Sequence, residues 1–296
     1  WLVKWLEVNE NIEAKNELKS LYQDQLLYLK RTVGDIGFDV KDLVEAEEEV
    51  LNVSYDILKL HNQKERLKTR LQAFANEIDS VSIQRDDIIS NEQILRMLGI
   101  GNLDTTMHSD LARLDSRLYL LDAEKEIELS EKANPLQFAQ LKVNNYEHGW
   151  IDEYVSVGLS FKLPLRGEKK LGLNEIELEK IEKQGEFEIL KNELETEQTK
   201  IEARIKQLIE QQKYLATQQE NSQAKYVLER LEELEESKPL DILKLKEILT
   251  KRNQLIERID FDILMQYVQW LNISDKMMEM PRRNHLLVVP KLILNN

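Results

Sequence analysis

Cysteine is absent from the 296-residue chain, and glycine and proline are scarce, with 9 and 5 copies. Without cysteine the chain has no disulfides, no thiolate catalysis and no cysteine-based zinc site. Glycine and proline supply most tight turns, and an ordinary α/β enzyme needs a turn every few residues. Long helices need few turns. The composition therefore favours long helices over a compact enzyme core.

Charge of one sign dominates, since 55 acidic and 41 basic residues give a formal net charge of −14. An acidic excess repels phosphate backbones, so we expect no nucleic-acid partner.

Long hydrophobic runs are also missing. No stretch reaches the roughly 18 apolar residues of a membrane-spanning helix. A membrane strand needs only about ten alternating residues and remains compatible with the sequence.

Apolar residues recurring at spacings of three and four predict helices over most of the chain. In the longest segment, positions seven apart carry apolar residues, a coiled-coil spacing that predicts one continuous helix over 170–236. The predicted organisation is a helical hairpin over 1–75, a connector over 76–108, a helix over 109–134, a strand pair over 135–165, a long helical hairpin over 166–275 and a tail over 276–296.

Two turns break the helical pattern, and each is followed by the same short sequence type. Phe38-Asp39-Val40 follows the first turn, and Leu240-Asp241-Ile242 follows the second, 202 residues later. This recurrence predicts two repeats of one architecture. Applying the offset to the first helix of the second repeat, we expect about 95 further residues of the first repeat upstream of residue 1.

Residues 154–163 alternate between two residue types, as a strand with one apolar and one polar face does. A weaker partner covers 136–144, where the alternation slips near Ala139-Gln140. Tyr146 and Trp150 lie in the polar loop between them and are predicted as interface aromatics, with packing inside the loop as the alternative. The predicted lipid face carries Val155, Val157, Leu159, Phe161 and Leu163, and the predicted lumen face carries Ser156, Ser160 and Lys162.

A lone pair of strands leaves unpaired backbone groups at its edges, which lipid does not tolerate. The strands are therefore expected to enter a closed barrel to which several chains contribute. With the second pair expected upstream, three chains would supply twelve strands, which lies within the range of known barrels.

The order of elements, with Val157-Gly158-Leu159-Ser160 leading to Leu163-Pro164-Leu165 and with Asp241-Ile242-Leu243 opening the last helix, resembles the TolC outer-membrane efflux family. Gly167 stands alone where the family often has a glycine pair. The resemblance implies a mainly α fold with a small membrane β part. Long antiparallel coiled-coil helices would form a trimeric α-barrel, and the strands would join a shared outer-membrane β-barrel in outer-membrane lipid.

The family resemblance also implies a function without chemistry or cofactors. Such a homotrimer would extend into the periplasm, contact a periplasmic adaptor protein and an inner-membrane pump, and passively conduct small molecules or polypeptides outward. The two turns would be the periplasmic tips, where carboxylate rings attract cations. Capping of the following helices by Asp39 and Asp241 is the alternative role. The tip, gate and adaptor-contact residues are Val33, Gly34, Asp35, Ile36, Gly37, Asp39, Lys238, Pro239 and Asp241.

Nothing in the sequence favours an enzyme. The four histidines are scattered without metal-site spacing, and no nucleotide-binding or nucleophile motif occurs. A soluble coiled-coil scaffold and a periplasmic adaptor remain as alternatives. The adaptor is disfavoured because no glycine-rich lipoyl-like segment flanks the hairpin.

Overall fold

A computed structural model describes residues 1–73, 85–100, 108–133, 136–144, 154–161, 168–233, 238–278 and 285–286. Within these ranges the chain is mainly helical with one strand pair, as predicted. The helices are α1 (Leu2–Arg31), α2 (Val40–Gln72), α3 (Asn91–Ile100), α4 (Ser109–Ala133), α5 (Glu168–Glu220), α6 (Gln223–Glu233) and α7 (Pro239–Ile273), and the strands are β1 (Leu136–Asn144) and β2 (Tyr154–Phe161).

The elements divide into two compact units. The first unit contains α1, α2, α3, the C-terminal part of α5, α6 and α7. The second unit, Leu103–Glu197, contains α4, the strand pair and the N-terminal part of α5. The assignment of the two helical hairpins to two sequence repeats stays a prediction.

The largest core of the first unit is built where the start of α1, α3, α5 and α7 meet. Trp270 of α7 is fully buried there, and its ring stacks on Tyr267 with centroids 6.0 Å apart. The indole Nε1 of Trp270 donates a hydrogen bond of 3.0 Å to Glu202 of α5. A buried indole needs such a partner, and this one ties α7 to α5.

Two smaller clusters fasten α1 to α2 further along the hairpin. Leu18 and Tyr22 pack against Val53 in one of them. The other contains Val8, Ile12 and Leu67. An ion pair of 3.0 Å between Lys15 and Asp56 joins the same two helices.

The prediction of one continuous helix over 170–236 is wrong, because α5 ends at Glu220 and α6 begins at Gln223. Ser222 lies in the break, and its Oγ accepts the backbone N–H of Ala224, which caps α6. Serine and asparagine favour such caps because their side chains compete with helical backbone hydrogen bonds. Arg252 of α7 donates a further bond of 2.6 Å to the Ser222 Oγ, so the break is held from the neighbouring helix.

The strands pair antiparallel, with Gln140 opposite Gly158 and Lys142 opposite Ser156. A register shift lies between Leu136 and Phe138. This shift precedes Ala139-Gln140, where the sequence alternation changes parity, and the pairing through Ala139 and Gln140 is regular.

In the second unit, α4 and α5 are joined by three ion pairs. Arg117 contacts Glu179 at 2.7 Å, Lys125 contacts Glu177 at 2.9 Å, and Lys180 contacts Asp122 at 2.5 Å. Exposed pairs of this kind contribute little to stability, because water screens the charges. The three pairs fix which faces of the two helices meet.

Alanine at two glycines should have opposite effects on stability. Gly37 has a φ of +93°, so Gly37→Ala places a side chain in the left-handed region and should cost about 1–2 kcal/mol. Gly185 lies inside α5 with open space around it, so Gly185→Ala should stabilise by up to about 1 kcal/mol. Urea unfolding followed by circular dichroism measures both. Equal effects at the two sites would contradict this account of the turn.

Candidate functional site: the helix-hairpin tips and the contacts behind them

The first tip connects α1 to α2. Thr32 ends α1, and its hydroxyl donates to the carbonyl of Leu29 at 3.1 Å. Gly34 and Gly37 both have positive φ, which the tight reversal requires. The Asp39 side chain accepts the backbone N–H of Lys41 at 2.8 Å, so Asp39 caps α2 as its alternative role predicts.

Apolar side chains project from this tip into solvent. Val33 is 58% exposed and Ile36 is fully exposed, while Gly34, Asp35 and Asp39 are exposed as well. Exposed apolar residues at the end of a hairpin cost solubility unless a partner covers them. Their position makes the tip a candidate contact surface.

The second tip precedes α7. Lys238 is the N-cap residue with an extended backbone, and Pro239 occupies the first turn, where its missing N–H is no loss. Asp241 donates its backbone N–H to the carbonyl of Lys238 at 3.0 Å. The capping role considered for Asp241 is therefore wrong, because Lys238 holds that position. An acidic side chain in the first turn still interacts favourably with the helix dipole.

The structure brings the two tips to the same end of the first unit. Lys244 of α7 lies 3.4 Å from Asp42 of α2, in a pair about half exposed to solvent. These two residues are 202 positions apart, the same offset that separates Asp39 from Asp241. Equivalent positions of the two similar sequence segments thus contact each other.

Behind the tips lies a polar cluster that the sequence analysis missed. Both oxygens of Glu247 are occupied, one by the hydroxyl of Tyr22 at 3.0 Å and the other by the Gln25 amide at 3.1 Å. Lys251 contacts the same carboxylate at 2.8 Å. Tyr22 and Gln25 are buried, so this cluster fastens α7 to α1 from within. We call these four residues the Glu247 cluster.

The electrostatics of the Glu247 cluster follow from its hydrogen bonds. Burial by itself would raise the pKa of Glu247, but the hydrogen bonds from Lys251, Gln25 and Tyr22 outweigh it and lower that pKa. Burial raises the pKa of Tyr22 to about 12. Burial would lower the pKa of Lys251, yet its bonds to Glu247 and Tyr22 raise it. Glu247 and Lys251 are therefore a charged pair at neutral pH.

A polar groove of about 320 Å³ opens beside this cluster, among α1, α2 and α7. Carboxylates dominate its lining, and Lys244 is the cation that reaches it. The groove is thus suited to a basic contact rather than an acidic one. The acidic residues that line it are Asp42, Glu45, Glu48, Glu49 and Glu247.

The predicted membrane residues are only partly within the described chain. Val155, Val157, Leu159 and Phe161 lie on β2 together with Ser156 and Ser160, so they share a strand. Tyr146, Trp150, Lys162 and Leu163 lie outside the described residues. The assignment of lipid and lumen faces stays a prediction.

None of the helices in the described residues combines the length and apolar character needed to cross a bilayer. Among the same residues, no three His, Cys, Asp or Glu side chains lie close enough together to hold a metal ion.

Comparison with solved structures identifies the fold. The chain is similar to CusC, in which conformational changes accompany folding and transmembrane channel formation, at 12% identity and a TM-score of 0.62 over 92% of this chain and 66% of CusC. It is similar to the outer membrane protein VceC of Vibrio cholerae, at 13% identity and a TM-score of 0.64 over 92% of this chain and 67% of VceC. It is also similar to the CmeC outer membrane channel of Campylobacter jejuni, at 13% identity and a TM-score of 0.57 over 92% of this chain and 60% of CmeC.

These likenesses confirm the TolC-like fold that the sequence predicts. The chain spans about two thirds or less of the length of the proteins it resembles. No protein-family model and no curated protein matches the sequence.

The Glu247 cluster yields a stability prediction. Tyr22→Phe removes the hydroxyl that bonds Glu247 and should lower the free energy of unfolding at pH 7 by about 1 kcal/mol. Because the folded state holds the Tyr22 proton to about pH 12, against 10.0 when exposed, its contribution is complete below pH 10 and lost as the pH rises toward 12. The Tyr22→Phe variant should show a shallower alkaline decline.

Tyr28→Phe is the matched control, because Tyr28 is on α1 and its hydroxyl makes no hydrogen bond with the described residues. Urea unfolding between pH 7 and 11 compares the variants. If Tyr28→Phe costs as much as Tyr22→Phe, the cluster does not fasten α7 to α1.

Proposed function

We propose that the chain is a subunit of an outer-membrane exit duct, a homotrimer that extends into the periplasm and passively conducts small molecules or polypeptides. The fold supports this proposal, because the similar structures include CusC, which forms a transmembrane channel, the outer membrane protein VceC and the outer membrane channel CmeC. The strand pair would join strands of other copies in a shared outer-membrane sheet, which would satisfy its unpaired edges.

The observation that carries the proposal is an apolar stripe on α2. Three of its residues stand seven apart, and all of them are strongly exposed. The opposite face of α2 is already buried through Ala46, Val53, Leu67 and Leu71. The stripe consists of Val40 (63% exposed), Val44 (47%), Leu51 (65%), Tyr55 (60%) and Leu58 (57%).

A stripe with this period is typical of a helix that packs against another long helix. Within the described chain α2 packs against α1. A second copy of the same chain provides long helices with exposed apolar residues of their own, such as Leu178, Ile181 and Ile189 of α5. Closed packing of identical copies covers such stripes and encloses a lumen.

The tips are proposed as the periplasmic aperture and the adaptor contact. Exposed Val33 and Ile36 and the acidic groove beside Lys244 support an adaptor with apolar and basic residues at its contact surface. The pair between Asp42 and Lys244 would hold the two tips together when the aperture is closed. An adaptor and an inner-membrane pump complete the proposed export system.

A charge in the stripe should separate the copies without unfolding them. Leu51→Asp on the exposed face of α2 should convert a trimer into a monomer, because a buried carboxylate between helices is strongly unfavourable. The complete gene product would be expressed in Gram-negative cells and extracted from outer membranes with detergent, and its molar mass would be measured by light scattering. Gln63→Glu, at an exposed position of α2 that lies off the stripe, is the control and should leave the trimer intact.

The proposal fails if the unaltered gene product stays monomeric or remains in the soluble fraction without detergent. The second outcome would favour a soluble coiled-coil scaffold instead. A trimer that tolerates Leu51→Asp would place the interface on another face.

A further inference from the structure

The contact between α1 and α7 changes its chemistry along its length. The helices run antiparallel, and three hydrogen-bonding contacts set their register. Gln25 bonds Glu247, Thr250 donates to Glu17 at 3.4 Å, and Gln254 donates to the backbone carbonyl of Ala14 at 3.0 Å. The half nearer the tips is thus held by complementary donors and acceptors.

Continuing the same register toward residue 1 brings carboxylates opposite carboxylates. Glu10 of α1, Glu257 and Asp260 of α7 line one polar cavity of about 770 Å³. Glu7 lies one further turn along α1, and its charged neighbours on α7 are Asp262 and Arg258. We call Glu7, Glu10 and Glu257 the acidic seam.

The cations nearby do not neutralise the acidic seam. Arg85 is bonded to Asp260 at 2.5 Å and also donates to backbone carbonyls. Asp260 takes two more bonds, from Asn91 at 2.8 Å and Gln212 at 3.0 Å. Neither Glu10 nor Glu257 makes a hydrogen bond or ion pair with the described residues, so Arg85 attracts Glu10 only from a distance.

The full charged surroundings include every element that packs there. The pKa of Glu10 is shifted by the charges of Glu257, Arg85, Asp260 and Glu13. The pKa of Glu257 is shifted by Glu17 and Asp260. Lys4 and Arg258 lower the pKa of Glu7. Glu92 and Arg96 of α3 line the same cavity, and α5 contributes the neutral Gln212. Burial, then the neighbouring carboxylates, raise the pKa of Glu7, Glu10 and Glu257.

We propose that the acidic seam is a proton-sensitive contact that tightens the packing of α1 against α7 when the surroundings become mildly acidic. At neutral pH the facing carboxylates repel each other, and proton uptake removes that repulsion. The half held by the Glu247 cluster is independent of this change, because its carboxylate is already paired.

The sign of the pH dependence follows from the direction of the shifts. A carboxyl whose pKa is higher in the folded than in the unfolded state binds its proton more tightly when folded. Stability therefore rises as the pH falls from above the raised pKa toward the ordinary value of 4.5. Glu247 acts in the opposite direction, because its pKa is lowered. Its stabilising contribution is present at neutral pH and is lost only when the pH falls below that ordinary value.

The test uses the double variant Glu10→Gln/Glu257→Gln. Its thermal midpoint at pH 7.5 should exceed that of the unaltered protein by about 2–4 °C, and it should gain less on acidification to pH 5.5. Asp24→Asn removes one exposed carboxylate from α1 and controls for the net charge of −14. A lower midpoint in the double variant, or an equal effect of Asp24→Asn, would overturn the proposal.

Hydrogen exchange in the unaltered protein provides a second measurement. After correction for the intrinsic pH dependence of exchange, protection of α1 amides in 7–14 should increase from pH 7.5 to pH 5.5, while protection in 22–28 stays constant. A uniform change along α1 would contradict a contact localised to the acidic seam.

Discussion

The first unit depends on burial of one long helix from two sides. The helix α1 has apolar residues along most of its 30 residues, and a single neighbour cannot cover them all. The helix α2 covers it at Val53 and Leu67, and α7 covers it from the side that carries the Glu247 cluster. Because α1 is enclosed in this way, the tips at its end are held together, and the outer face of α2 is left with its apolar stripe exposed.

Local features of the sequence predicted the helices and turns well. Glycines with positive φ, the proline at the start of α7 and regular apolar spacing act within a few residues, so their consequences can be derived without knowing the fold. The break at Ser222 was missed because the seven-residue apolar spacing continues through α5, whereas the break depends on capping by Ser222 and on Arg252 from another helix.

The polar contacts between helices could not be predicted in the same way. Tyr22 and Glu247 are 225 positions apart, and each has an ordinary explanation by itself, a core aromatic and a solvated carboxylate. Glu10 and Glu257 likewise belong to helices rich in charge, where exposure is the normal expectation. Only the register between α1 and α7 shows that Glu247 is fully paired, while Glu10 and Glu257 face each other without an ion pair.

The proposed duct rests on identical copies packing around an axis, and the absence of cysteine makes this directly measurable. A single spin label can be attached at Ile36→Cys, on the exposed first tip, in the assembled protein. Pulsed electron–electron distance measurement should then detect three interacting spins per assembly with one narrow distance, as three-fold symmetry requires. A sample with no dipolar signal at this site, or with only two interacting spins, would contradict the account.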